Sequence, residues 1–145
     1  MVHNSNMDEK DEVILEALLE NSRVPLTHIA SKLNISETAV RKRIKKLENK
    51  GIIRAYTAIV DPFYLGYEGV ALVGVDAVPE KIVAVFEEIK NLPGIRYSAM
   101  TSGDHMMMFE VWYKNSEKLN KFILNLEKMQ GVTRVCPAVY VKRAE

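Results

Sequence analysis

The chain has 145 residues, room for one ordinary domain or two small ones, which excludes a large multidomain enzyme. Hydrophobic residues at 48% and charged residues at 27% allow a buried core and exclude a disordered or fibrous chain. The net charge of +1 hides a segregation: residues 1–35 carry six acids and three bases, residues 36–54 seven bases and two acids, and residues 55–145 ten bases and eleven acids. A cationic block in a near-neutral chain reads as a footprint for an anionic partner, with nucleic acid the first candidate.

Residues 1–7 are polar and lack periodicity, so a flexible arm is expected there. It has neither the basic start nor the apolar run of a secretory signal, and apolar runs such as residues 70–75 fall short of the roughly 20 residues that span a bilayer. An unexported, cytoplasmic protein without membrane association is the expectation. The single cysteine, Cys136, permits no internal disulfide and suits a reducing compartment.

From Asp8 the text turns helical. Asp8 can cap a first helix whose early acids Glu9, Asp11 and Glu12 complement its positive end, with Val13, Ile14, Ala17 and Leu18 at helical spacing. A short second helix over about Leu26 to Leu33, just after Pro25, presents Ile29, Ala30 and Leu33 on one face. Ser36 then caps a third helix in which Val40, Ile44 and Leu47 form an apolar stripe, and Gly51 stops it. With that stripe turned inward, Arg41, Lys42, Lys45 and Lys46 look outward. Two helices joined by a tight turn, the second capped and basic, form the pattern of a helix-turn-helix, whose second helix enters the DNA major groove with its N-terminal residues foremost. The candidate DNA-binding residues are Ser36, Glu37, Thr38, Arg41, Lys42, Lys45 and Lys46. Arg41 can grip a guanine edge bidentately, Ser36 and Thr38 can reach bases or phosphate, and the lysines suit phosphate contacts.

A strand-like apolar run after Gly51, closed by Asp61-Pro62 and punctuated by Gly66, reads as a linker over residues 55–67. Then the composition changes. A β-rich run over 70–78 precedes a helix opened by Pro79, with Ile82, Val83, Phe86 and Ile89 on one side. Strand-like runs follow at Ile95 to Thr101 and Met106 to Tyr113, separated by a Ser102-Gly103-Asp104-His105 turn. Ser116 is expected to cap another helix with Leu119, Phe122, Ile123 and Leu126 facing inward, ended by Gly131, before a last strand from Val132 to about Lys142. Pro137 inside that strand marks it as an edge or bulge. The order β-α-β-β-α-β is that of a ferredoxin-like sandwich. The fold class is therefore α+β: a winged-helix-like helix-turn-helix domain over 8–54, a linker over 55–67 and a βαββαβ domain over 68–145. Helices cover one face of such a sheet, and apolar residues on both sides of residues 70–75 call for a second copy on the other.

The stretch from Asp8 through DEKDEVILEALLENSRVPLTHIASKLNISETAVRKRIKKLENKGIIRAYTAIVDP, followed later by MTSGD and a strand, resembles the Lrp/AsnC family of transcription regulators over about Asp8 to Arg143. The resemblance implies a homodimer or octamer that binds double-stranded DNA and responds to a small-molecule effector, usually an amino acid, held between C-terminal domains. It implies an effector pocket at Thr101, Ser102, Gly103, Asp104 and His105, completed across the subunit interface by the loop from Gln130 through Val132 to Thr133. Family members often read Gly-Asp-Tyr-Asp at the turn, where this chain has Gly103-Asp104-His105-Met106. The second acid is replaced by Met106, so either the effector is not an ordinary α-amino acid or its ammonium group needs another partner, such as Asp104.

Asp104 with His105 suggests acid-base chemistry and Cys136 a nucleophile, but no catalytic triad, paired glycosidase carboxylates or phosphate-cradling glycine loop accompanies them, so no enzyme is expected. His3, His28 and His105 are scattered, so neither a metal site nor a cofactor is expected. Met106, Met107 and Met108 read as adaptable strand filling, and Trp112 and Tyr113 as sheet anchors. The function indicated is a DNA-binding transcriptional regulator responsive to a small effector, an amino acid or related amine. The alternative is a small-molecule-binding oligomer acting through protein contacts, and the basic third helix separates the two.

Overall fold

The computed structural model describes residues 7–141. The arm expected over 1–7 lies outside the described residues except for Met7, as does the end expected for the last strand at Lys142. The chain divides between Ile59 and Val60 into two compact units.

The first unit is three helices: α1 (Glu9–Glu20), α2 (Leu26–Leu33) and α3 (Glu37–Asn49). Asp8 caps α1 by accepting from the Asp11 N–H, and Ser36 caps α3 by accepting from the Ala39 N–H. Asn34 ends α2 in the left-handed conformation at φ 51°, and a tight turn leads from it into α3. Ile14, Ile29, Ala30, Val40 and Leu47 form the buried core, with Ile44 packed at its margin. The stripe expected on α3 is thus the surface that folds.

The strand-like run after Gly51 is not a strand. Among the described residues it pairs with no strand, residues 54–61 are irregular, and Asp61 caps a 3₁₀ turn at Pro62–Leu65 by accepting from the Phe63 N–H. Ile59, Phe63 and Tyr64 stand exposed. β propensity without a neighbouring strand to complete the ladder does not make a strand.

The second unit runs β1 (Gly69–Ala77), a 3₁₀ turn, α4 (Ile82–Lys90), β2 (Ile95–Met100), β3 (Met107–Tyr113), α5 (Ser116–Glu127) and β4 (Val132–Val139). The antiparallel sheet has the order β2-β3-β1-β4. This is the βαββαβ sandwich. Pro137 sits on edge strand β4; the Tyr140 N–H donates to Val70 O, so alternation turns the donor-less position 137 to the open edge. Ala71, Val73, Val75 and Ala77 of β1 pack with Met107, Phe109 and Val111 beneath Val85, Ile89, Leu119 and Leu126 of the helices. Leu72, Met108, Trp112 and Cys136 stand on the opposite face, outside that cluster and half-buried.

Three local expectations are corrected. On α4 the inward residue is Val85 and Val83 is exposed, because the helix begins at Ile82 after a separate 3₁₀ turn and its phase is set from there. The cap of α5 is Asn115, accepting from the Lys118 N–H, while the Ser116 hydroxyl donates to Glu68. Asparagine caps as well as serine, and one position earlier suffices. That helix ends at Glu127; Gly131, at φ 100°, makes the turn into β4 instead.

Candidate functional site

On α3 the exposed face is charged and its ions pair along the helix. Arg41 Nη2 lies 2.6 Å from Glu37 Oε1, and Lys45 Nζ 3.6 Å from Glu48 Oε2. Arg41 and Glu37 keep 68% and 43% of their side-chain surface exposed, so the pair stays in solvent. Ser36, Thr38, Lys42 and Lys46 are also exposed. The sequence-predicted residues therefore share one accessible helix, with Ser36, Glu37, Thr38 and Arg41 grouped at its N-terminal end. Tyr56 donates its hydroxyl to Glu48 at 3.0 Å, and burial first, that hydrogen bond second, raises the phenol above its usual value.

Arg43 is different from its basic neighbours. Its Nη1 donates to Asp8 at 2.8 Å and to Asp11 at 2.6 Å, and the Asp11 carboxylate is only 2% exposed. This arginine ties α3 to the start of α1. The hydrogen bond from Arg43 holds the Asp8 carboxyl below its ordinary range, and Asp11 and Asp8 together raise Arg43.

In the second unit the turn between β2 and β3 closes on itself. The Thr101 N–H donates to Met106 O at 2.9 Å, and the Thr101 hydroxyl donates to His105 O. Ser102, Gly103 and Asp104 are exposed, Asp104 with 94% of its side chain in solvent. His105 turns inward and rests on Gly74 of β1, where any Cβ would collide with the imidazole.

The anchor of this turn is Asp76 on β1, a residue the sequence reasoning passed over. Its Oδ1 accepts from the Met106 N–H at 2.9 Å; its Oδ2 lies 3.1 Å from His105 Nδ1 and accepts from Arg134 Nε at 2.7 Å. Arg134 Nη2 donates to Asp104 O at 2.7 Å and lies 3.1 Å from His105 Nδ1. A guanidinium cannot accept, so a protonated Nδ1 donates to Asp76 and a bare one accepts from Arg134. Burial pushes the Asp76 carboxyl up, but the hydrogen bonds from Met106, His105 and Arg134 outweigh it and hold it below its ordinary range. The one available signal was an acid in an otherwise apolar strand.

Val132 and Thr133 begin β4 at the same end of β1. Register slips there, Asp76 facing Arg134 while Ala77 faces Val132, so Thr133 occupies a bulge. The Val78 N–H donates to Gly131 O at 2.8 Å, closing the loop that follows exposed Gln130. The two predicted effector segments thus flank one strand end within a single chain, bridged by Asp76 and Arg134. Among the described residues, no group of three or more His, Cys, Asp or Glu could hold a metal ion, and no helix is long and apolar enough to cross a membrane.

Comparison with known proteins matches each of the two units separately. A family model described as winged helix-turn-helix DNA-binding matches residues 7–54, and the Lrp/AsnC ligand binding domain matches residues 70–143. The HTH-type transcriptional regulator LrpA of Pyrococcus horikoshii is 48% identical over 138 residues, covering 94% of this chain and 98% of its own. LysM, an HTH-type transcriptional regulator of Saccharolobus solfataricus, is 37% identical over 130 residues, 89% of each chain. Among solved structures, E. coli AsnC superposes with a TM-score of 0.81 at 20% identity over 96% of this chain and 95% of its own. A Neisseria meningitidis transcriptional regulator in its L-Met complex gives a TM-score of 0.80 at 21% identity, covering 96% and 92%. With both of its units matched and a regulator nearly half identical along almost its full length, the chain belongs to the Lrp/AsnC family of DNA-binding transcriptional regulators, and its second unit is their ligand-binding domain.

Proposed function

We propose that α3 is the recognition helix, that Ser36, Glu37, Thr38 and Arg41 face base edges, and that Lys42, Lys45 and Lys46 contact phosphate. The observation that carries this is the capped, accessible N-terminal end of α3, with the Arg41 side chain 68% exposed beside Glu37. The functional division runs over 8–54 for DNA, 55–67 for the linker and 68–145 for effector binding and assembly. The protein works in the cytoplasm as a homodimer or a larger closed assembly, in which the helix-free sheet face is covered by a second copy.

The effector is an amino acid or related amine. It binds at Thr101, Ser102, Gly103, Asp104 and His105, with Gln130, Val132 and Thr133 of a neighbouring subunit completing the pocket. Asp104 supports this reading because its carboxylate is 94% exposed and held only by a long ion pair, 4.0 Å from Arg134 Nη2, whereas Asp76 is engaged at both oxygens by Met106, His105 and Arg134. The L-Met complex of the Neisseria relative supports the ligand class. Two measurements test the proposal. Binding to duplex DNA is expected to weaken steeply as salt rises, and a thermal-shift screen of amino acids and amines is expected to find a compound that raises the melting temperature. Salt-independent or absent DNA binding would refute the first part; a screen in which no such compound stabilises the protein would refute the second.

A further inference from the structure

Among the residues assigned to the DNA face, Glu37 is the one carboxylate. Near phosphate it is repelled whatever the sequence, and it withdraws charge from Arg41, whose Nη2 it holds at 2.6 Å. Such a residue lowers affinity everywhere unless a base edge compensates it.

We infer that Glu37 is a specificity-determining residue of α3, accepting a hydrogen bond from a cytosine N4 amine beside the guanine read by Arg41 and disfavouring duplexes without that cytosine. The inference rests on the recognition-helix reading above. An ionised glutamate only accepts. In the major groove guanine and thymine offer it acceptors, adenine pairs its donor with the N7 acceptor, and cytosine alone offers an unaccompanied donor. The ion pair need not break on binding. Glu37 uses Oε1 for Arg41 and keeps Oε2 free, and Arg41 keeps its remaining N–H groups for guanine O6 and N7. Four residues of helix rise about 6 Å, and base pairs stack about 3.4 Å apart. The cytosine and guanine therefore lie within about two base pairs of one another.

The full chain and its E37A, E37Q, K42A and K46A variants are each used to select sites from random duplexes, and their affinity for an unselected duplex is measured. The parent is expected to enrich a cytosine near a guanine in each half-site. E37A keeps the guanine, loses the cytosine preference and binds unselected duplex about 2- to 10-fold more tightly, since one anion has left the interface. E37Q shifts the preference toward adenine, whose N6 and N7 match a carboxamide. If E37A and E37Q enrich the parent's sequences with unchanged random affinity, Glu37 serves only the helix and the inference fails. If K42A and K46A bind unselected duplex as tightly as the parent, α3 is not on the DNA and the underlying reading fails with it. Weakening by the lysine variants without change by the Glu37 variants overturns the inference alone.

Discussion

Two charged clusters of this chain, one on α3 and one at the end of β1, are built on opposite plans. On α3, Arg41 with Glu37 and Lys45 with Glu48 pair between neighbouring turns of one helix, in water. At the end of β1, Asp76 gathers His105, Met106 and Arg134 from segments about 30 and 58 residues away, and its side chain is 15% exposed. Exposed pairs contribute at most about 1 kcal/mol, so their members can exchange partners for phosphate or base at little cost. The half-buried cluster cannot be opened so cheaply, because three groups would lose their partner together. An exposed charge is free to take a new partner, and a gathered one fixes the segments it joins.

Inside the basic block itself one residue crosses from the first plan to the second. Arg43 belongs by position to α3 and by partners to the gathered kind. Arg43→Ala strands the buried Asp11 carboxylate and is expected to cost the helical unit about 3 kcal/mol in urea unfolding, with the salt slope of DNA binding unchanged. Unchanged stability with a shallower slope would move Arg43 to the DNA face.

Asp76→Ala comes next, at about 2–3 kcal/mol of the second unit's stability, measured by the same method. Its pH behaviour follows from the lowered carboxyl. The contribution is complete at neutral pH and down to the unfolded aspartate value of about 3.9, and is lost as pH falls further through the folded value. The acid limb of unfolding should therefore be flatter in Asp76→Asn than in the parent.

Arg41→Ala is expected to cost about 1–3 kcal/mol at a selected operator and to relax one base position per half-site, whereas Lys46→Ala weakens binding to all sequences and flattens the salt slope. Equal loss on selected and random DNA would remove Arg41 from base reading. The smallest structural effect belongs to Asp104→Asn. Being almost wholly exposed, it should shift stability by less than about 0.5 kcal/mol while abolishing stabilisation by the effector. Calorimetry showing that effector bound as tightly by the variant would place the pocket elsewhere.

Much of the fold was legible because its determinants are local. Asp8 and Ser36 cap helices within three residues of themselves, the Val40 and Leu47 stripe repeats at the helical period, and Pro137 announces an edge by its missing donor. Legibility failed where a second element sets the outcome. Val83 and Val85 are equally apolar, and only the phase of α4 against the sheet decides which is buried. The run around Ile59 has strand composition but, among the described residues, no ladder to join.

The helices, the succession of helices and strands, the cationic block and the turn at Ser102 to His105 can be read along the chain, since each depends on neighbours within a few residues. Tertiary structure alone decided that Asp76, read only as part of an apolar run, holds that turn, that Arg134 bridges it to β4, and that Arg43 is withdrawn from its basic neighbours. Antiparallel pairing brings the end of β1 between β3 and β4, and packing sets α3 against α1. Hydrogen bonds and ion pairs between residues 30 or more positions apart leave no periodicity along the chain from which they can be read.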